Sequence, residues 1–221
     1  MRPARVANVE TLSMHFRLVD LEGDALKDIA WAAGHKLQIA MNAGLSARTY
    51  TPMSWDAGRG KTRLLIFAHG DAPGSRWATG LRAGDTCQVF GPRRSLDLSG
   101  LDAPMVLFGD ETSFALAAAL RAIPGLRASC VFEVSDIAEA RLALAAAGVD
   151  DAVLVARAGD DGHIAAVCTQ ISSLASRGGY FVLTGKAASI QQVGRVLKTA
   201  GIGSSRIKAK AYWAPGKSGL D

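Results

Sequence analysis

Two rhythms of apolar and polar residues follow one another along the chain. Before Leu101, apolar residues alternate with polar ones in short runs, such as His35-Lys36-Leu37-Gln38-Ile39-Ala40-Met41, Arg63-Leu64-Leu65-Ile66-Phe67-Ala68 and Asp85-Thr86-Cys87-Gln88-Val89-Phe90. Alternation puts every second side chain on one face of a strand, and Gly and Pro between the runs turn the chain back, which predicts a small antiparallel barrel. One short helix is expected inside it, at Pro73-Gly74-Ser75-Arg76-Trp77-Ala78, behind Asp71 as a turn initiator. After Leu101-Asp102-Ala103-Pro104 the rhythm becomes continuous apolar strand, then alanine-rich helix, repeated. The strands are expected at Met105–Phe108, Ala128–Phe132, Ala152–Val155, Tyr180–Leu183 and Ile207–Trp213. The helices between them are expected at Ser113–Leu120, Ile137–Ala147, Ile164–Ser176 and Ile190–Thr199. Such strands belong to a parallel sheet covered on both faces. The fold expected is therefore a two-domain β plus α/β protein. An antiparallel β-barrel over 1–101 precedes a doubly wound parallel α/β domain over 102–221.

Composition narrows the class. The chain has 221 residues, with 49% hydrophobic and 20% charged, a balance that buries a core and excludes disordered, collagen-like and disulfide-scaffold readings. The net charge of +5 is spread evenly, +3 over residues 1–103 and +2 over 104–221, with no basic tail. A polyanionic small ligand or a solvated surface explains the excess better than nucleic acid does. Cys87, Cys130 and Cys168 are widely spaced in or beside apolar stretches, as buried free thiols of a reducing compartment would be. No signal-peptide pattern follows Met1, and every apolar run is too short to cross a bilayer, so a cytoplasmic protein without membrane insertion is expected. His15, His35, His69 and His163 lie far apart with no ligand spacing, so no metal site is expected. A G-x-S-x-G elbow is also missing.

Open α/β sheets bind ligands beyond the carboxyl ends of their strands, so those turns carry the candidate chemistry. Met105–Phe108 runs into Gly109-Asp110-Glu111-Thr112-Ser113. There Gly109 permits a tight backbone passage and the hydroxyls stand at a helix N-terminus, which suits phosphate. Asp110 and Thr112 are equally suited to capping that helix. The next strand ends in Phe132-Glu133-Val134-Ser135-Asp136. A carboxylate there can accept from a ribose diol, and Asp136 is also placed to be an N-cap. In the barrel half, Arg48 and Tyr50 of Ala47-Arg48-Thr49-Tyr50-Thr51-Pro52 share a strand face. A charged fork beside an aromatic plane fits a ligand with phosphate and a flat ring; a plain surface Arg–Tyr pair has the same pattern.

Arg-x-Tyr-Thr at Arg48–Thr51, the strand ending His69-Gly70, Pro73-Gly74-Ser75-Arg76-Trp77-Ala78, Gly91-Pro92-Arg93, Gly109-Asp110-Glu111-Thr112 and the closing Lys210-Ala211-Tyr212-Trp213-Ala214-Pro215-Gly216 together resemble the siderophore-interacting protein family. These are flavin reductases of the ferredoxin-reductase-like superfamily, and the resemblance spans essentially the whole chain. It implies a FAD-binding barrel joined to an NAD(P)H-binding α/β domain. Such a protein passes electrons from NADPH or NADH through flavin to a ferric siderophore or other ferric chelate, releasing Fe(II). By the same resemblance Arg48 contacts the flavin phosphates, Tyr50 packs beside the ring and ribityl chain, and Thr51 reaches the ring. The His69-Gly70 backbone meets its polar edge, and Gly74-Ser75 hold the pyrophosphate with Trp77 and Ala78 nearby. Thr112 and Trp213 complete the FAD set, with Trp213 either beside the flavin or a core residue at a strand end. Gly109, Asp110, Glu133, Gly185 and Lys186 are the NAD(P)H residues, and no catalytic side chain is required.

The chain departs from the family pattern at two positions where basic residues are common, Met53 two residues after Tyr-Thr and Ala214 after Trp213, and at Gly185-Lys186, where the family commonly has Gly-Glu. Arg206, Lys208 and Lys210 alternate along the last strand, and Lys208 and Lys210 are the candidate substrate residues, unless their charges only protect an edge strand. Two other functions remain open: a flavin reductase or electron donor to another redox protein, and a non-catalytic flavin- or nucleotide-binding module. Glu133 leans toward an unphosphorylated ribose, whereas Arg157 or Lys186 would meet a 2′-phosphate.

Overall fold

A computed structural model describes residues 1–41, 46–101 and 104–217. The chain divides into two compact units, Met1–Ser95 and Leu96–Asp221. Asp102 and Ala103, where the second domain was expected to begin, lie outside the described residues.

The first unit holds strands β1 (Arg2–Thr11), β2 (Phe16–Glu22), β3 (His35–Met41), β4 (Ser46–Tyr50), β5 (Pro52–Asp56), β6 (Lys61–Phe67) and β7 (Thr86–Arg94), with helix α1 (Pro73–Gly80) between the last two. They form one sheet in the order β4-β3-β7-β1-β2-β6-β5, and every pairing is antiparallel. The two edge strands, β4 and β5, are consecutive in the chain and separated by Thr51 alone. The sheet's ends therefore meet there and it curls into a barrel. Alternation decides what goes inside: Val6, Leu21, Leu37, Ile39, Leu64 and Val89 are wholly buried in its core, while Thr49 and Phe90 face outward.

The second unit holds β8 (Met105–Gly109), α2 (Phe114–Arg121), β9 (Ala128–Val134), α3 (Ile137–Ala146), β10 (Val153–Ala156), α4 (Ile164–Ala175), β11 (Tyr180–Lys186), α5 (Ala187–Thr199) and β12 (Ile207–Trp213). All pairings are parallel, in the order β10-β9-β8-β11-β12. Right-handed crossovers put α2 and α3 on one face and send α4 and α5 to the other. Val106, Phe108, Phe181 and Leu183 pack with Val167, Ile171, Val193 and Leu197 on that second face. The strand order reverses between β8 and β11, and the carboxyl ends of these two strands flank the crevice where such sheets bind ligands. Cys87 and Cys130 are buried as free thiols, and Cys168 is only partly covered. No helix among the described residues is long and apolar enough to cross a membrane.

Candidate functional site

In the barrel, β3 aligns the residues that matter: Leu37 pairs with Tyr50 and Ile39 with Arg48. Both side chains therefore point to the inner face, where α1 lies. The Arg48 stem lies against Gly74 so closely that a Cβ there would come within 3.0 Å of Arg48 Cγ. Tyr50 and Trp77 rings stand 6.1 Å apart at 32°, and burial pushes the Tyr50 phenol upward against the opposing influence of Arg48. At the start of α1, Pro73 takes the first turn and no side chain caps the N-terminus. The first-turn N–H groups and their partial positive charge thus remain for an anionic ligand beside the Arg48 guanidinium. Ser75 Oγ donates to the His69 carbonyl at 2.6 Å. Its hydroxyl braces the loop, leaving its backbone N–H for a ligand. His69 is exposed and stacks on Phe67 at 4.9 Å, and Gly70 beside it has φ +63°. Thr51 is half-buried between the two edge strands. Ala78 is wholly buried in the barrel core, so its methyl seats α1 and does not meet a cofactor; this corrects the expectation for that side chain.

In the second unit the turn after β8 is built around Asp110. Its Oδ1 accepts the Thr112 N–H at 2.9 Å and the Thr112 hydroxyl at 2.5 Å, and its Oδ2 accepts Trp213 Nε1–H at 2.7 Å. The carboxyl is fully buried, and that burial pushes its pKa up to about 6 despite these donors. Asp110 and Thr112 therefore cap and lock the turn. The buried Asp110 carboxyl is not presented to a nucleotide, which corrects the ligand role expected of it, while Thr112 stays half-buried with its hydroxyl donating to Asp110. Gly109 is required because a Cβ would collide with Ser113. Gly185, at φ +98°, leaves room for Asp110 Oδ2, which would lie 2.5 Å from a Cβ at this position.

Glu133 is also withdrawn from ligand duty. It is fully buried, and its oxygens accept from Ser189 Oγ at 2.8 and 3.0 Å and bond His163 Nε2 at 2.8 Å. His163 Nδ1 accepts the Ala158 N–H, so the Nε2 proton is the one given to Glu133. A ribose diol finds no free acceptor there, and Asp136 caps α3 through the Glu139 N–H at 2.9 Å. Sequence reading missed this trio because His163 and Ser189 lie 30 and 56 residues from Glu133 and carry no motif.

A second network sits beside it. Glu111 accepts from Ser135 N–H at 2.5 Å, Ser135 Oγ at 2.7 Å and Arg157 Nη2 at 2.8 Å. Burial disfavours the Arg157 charge, yet Glu111 and neighbouring carboxylates hold its pKa above the usual range. Lys186 pairs with Asp161 at 2.7 Å, and this bond holds the Asp161 carboxyl below its ordinary value. On edge strand β12, Lys208 and Lys210 pair in register with Val182 and Thr184 and so share one face. Neither has an ion pair among the described residues. Arg206 does not extend their row: it lies in the 3-10 turn Ser204–Arg206 and donates to the Gly179 carbonyl at 2.7 and 2.8 Å.

Residues 103–216 match the family described as siderophore-interacting protein, and residues 40–96 match the siderophore-interacting FAD-binding domain. The chain belongs to the siderophore-interacting protein family. Comparison with the curated proteins gives no match. Among solved structures, the siderophore-interacting protein SipS from Aeromonas hydrophila is 21% identical with a TM-score of 0.77, covering 98% of this chain and 93% of that one. A siderophore utilization protein from T. fusca is 22% identical with a TM-score of 0.75, covering 100% and 95%. The ferredoxin reductase in carbazole 1,9a-dioxygenase shares 17% identity and a TM-score of 0.77 over 96% of this chain and 69% of its own. At these identities the structures show a shared ferredoxin-reductase-like fold. Within the siderophore-interacting family frame, Arg48, Tyr50, Thr51, His69, Gly70, Gly74, Ser75 and Trp77 all fall inside the FAD-binding match. The cradle of guanidinium, uncapped helix start and paired aromatic rings fits a dinucleotide with a flat ring system.

Proposed function

We propose that the protein is a FAD-dependent NAD(P)H oxidoreductase whose acceptor is a ferric siderophore or other ferric chelate, released as Fe(II). The observation that carries this reading is the barrel cradle, in which Arg48 and Gly74 meet at the uncapped start of α1 beside Tyr50 and Trp77. When bound, the flavin would take two electrons from the nicotinamide nucleotide and hand them singly to iron. The chain's own contribution is binding and orientation. Arg48 and the first-turn N–H groups would hold the pyrophosphate, Tyr50 would pack along the flavin, and Thr51 would offer a hydroxyl to the ring. A reduced nicotinamide nucleotide would lie at the carboxyl ends of β8 and β11, beyond the turns where Gly109 and Gly185 let Ser113 and Asp110 pack against the backbone. Lys208 and Lys210 would attract an anionic chelate.

Protein reconstituted with FAD should turn yellow and bleach anaerobically on addition of NADPH or NADH, then recover colour with ferric citrate or a ferric siderophore. Failure to take up FAD overturns the reading. Losing a charge-assisted phosphate contact costs about 1.5–3 kcal/mol, so Arg48→Ala should weaken FAD binding by roughly 10- to 100-fold in a titration. Unchanged affinity would place the phosphates elsewhere.

A second reading has one observation in its favour. Met53 occupies a bulge between Pro52 and Ser54 and is buried, so no cation stands there to receive an anionic chelate. A flavin reductase or donor to a redox protein needs none, and turnover with cytochrome or free flavin against ferric siderophore separates the two.

A further inference from the structure

Asp110 follows the last residue of β8 and Trp213 ends β12, and both strands flank β11, so two inter-strand spacings, about 10 Å, separate their backbones. A shift in the β11–β12 register at Gly185/Lys186 sets Trp213 opposite Lys186, and Gly185 between them has no side chain. Across that gap the indole N–H reaches Asp110 Oδ2 at 2.7 Å. Any Cβ on Gly185 would fill the passage, lying 2.5 Å from the same oxygen. The carboxylate is wholly buried and makes no ion pair among the described residues, an arrangement that costs stability; its Oδ1 caps the turn through Thr112, and its Oδ2 is turned to the indole. The indole it holds remains half-exposed at the carboxyl end of the sheet.

We propose that Asp110 is a positioning residue: by accepting the Trp213 N–H across Gly185, it fixes the indole as an aromatic wall for a nicotinamide nucleotide at this edge. This rests on the donor half of the functional reading above. An indole held edge-on by a carboxylate loses its rotational freedom in advance, so a flat nucleotide ring packing on it does not have to order it. The charged groups around Asp110 are Glu111 in its own turn, which raises its pKa, Arg157, which it stabilises, and Lys186 beyond Gly185, already paired with Asp161.

Stopped-flow reduction of FAD-loaded protein by NADPH and NADH, with Trp213→Phe, Asp110→Asn and the double variant, tests the inference. Trp213→Phe keeps an aromatic ring and removes only the indole N–H and its extra ring. Loss of one charge-assisted hydrogen bond predicts that each single variant raises the nucleotide KM about tenfold, more than it lowers kcat. The double variant should be no worse than either single one, because the two groups act as a pair. In apo-protein, the emission of Trp213, taken as wild type minus Trp213→Phe, should shift as pH crosses the Asp110 pKa of about 6, and the shift should vanish in Asp110→Asn. Normal bleaching with an unchanged KM in Trp213→Phe overturns the inference alone, even if Asp110→Asn fails to fold. Additive effects in the double variant also overturn it. A wild-type flavin that neither nucleotide bleaches overturns the donor reading, and the inference with it.

Discussion

A carboxyl raised by burial to about 6, as Asp110 is, binds its proton more tightly in the folded chain than in the unfolded one, where its value is near 3.8. Its contribution to stability is therefore full below the unfolded value and is lost as pH rises through about 6. A shift of this size corresponds to about 3 kcal/mol. Asp110→Asn carries no such charge, so its melting temperature relative to wild type should climb between acidic and neutral pH; a difference that stays flat with pH would contradict the buried charge. Burial also pushes the Cys87 thiol up to about 11 and the Cys130 thiol up to about 12, which leaves them as inert core residues. At this scale the sequence showed which residue types stood at each turn but not where they pointed. Gly109-Asp110-Glu111-Thr112 reads equally well as phosphate loop and as capped helix start. Only the fully closed hydrogen bonds of Asp110 decide for the cap.

Elements of the second unit are tied together at their ends by buried polar groups. Glu133 closes β9, His163 opens α4 and Ser189 lies in the first turn of α5. Removing a donor from a buried carboxylate costs about 1–3 kcal/mol, more when the acceptor is charged. His163→Ala should accordingly lower the melting temperature by several degrees while leaving FAD uptake by the barrel intact. Glu133→Gln should leave the ratio of NADPH to NADH efficiency unchanged; a change in that ratio would return Glu133 to the nucleotide site. The strands and helices were legible from periodicity because parallel strands are continuously apolar and α5 keeps an amphipathic stripe. Boundaries moved by two or three residues at α1, which runs on to Gly80, at β9, which runs on to Val134, at β11, which runs on past Leu183 to Lys186, and at α5, which begins at Ala187 and not Ile190. Ser189 is buried through its bond to Glu133, a long-range contact that apolar spacing cannot register.

For the whole molecule, an excess of five positive charges suits the anionic phosphates of FAD and a nicotinamide nucleotide, and would suit an anionic ferric chelate as the proposed acceptor. Cations at partly exposed positions act through screened fields, with a Debye length of about 8 Å at physiological salt. FAD and nucleotide dissociation constants should therefore rise as sodium chloride is raised toward about 0.5 M, where screening is strong; salt-independent binding would argue that apolar contact dominates. The sequence by itself determined the order barrel then α/β, the sites of turns and helices, and the motif residues Arg48, Tyr50 and Gly74, because these depend on local periodicity and on residue types at short spacing. It did not determine that Arg48 packs on Gly74, that Glu133 turns inward to His163, or that Trp213 reaches Asp110 across Gly185. Those contacts join residues 26 to 103 positions apart. Strand order and register bring them together, and burial then decides which polar group faces a ligand and which only holds the fold.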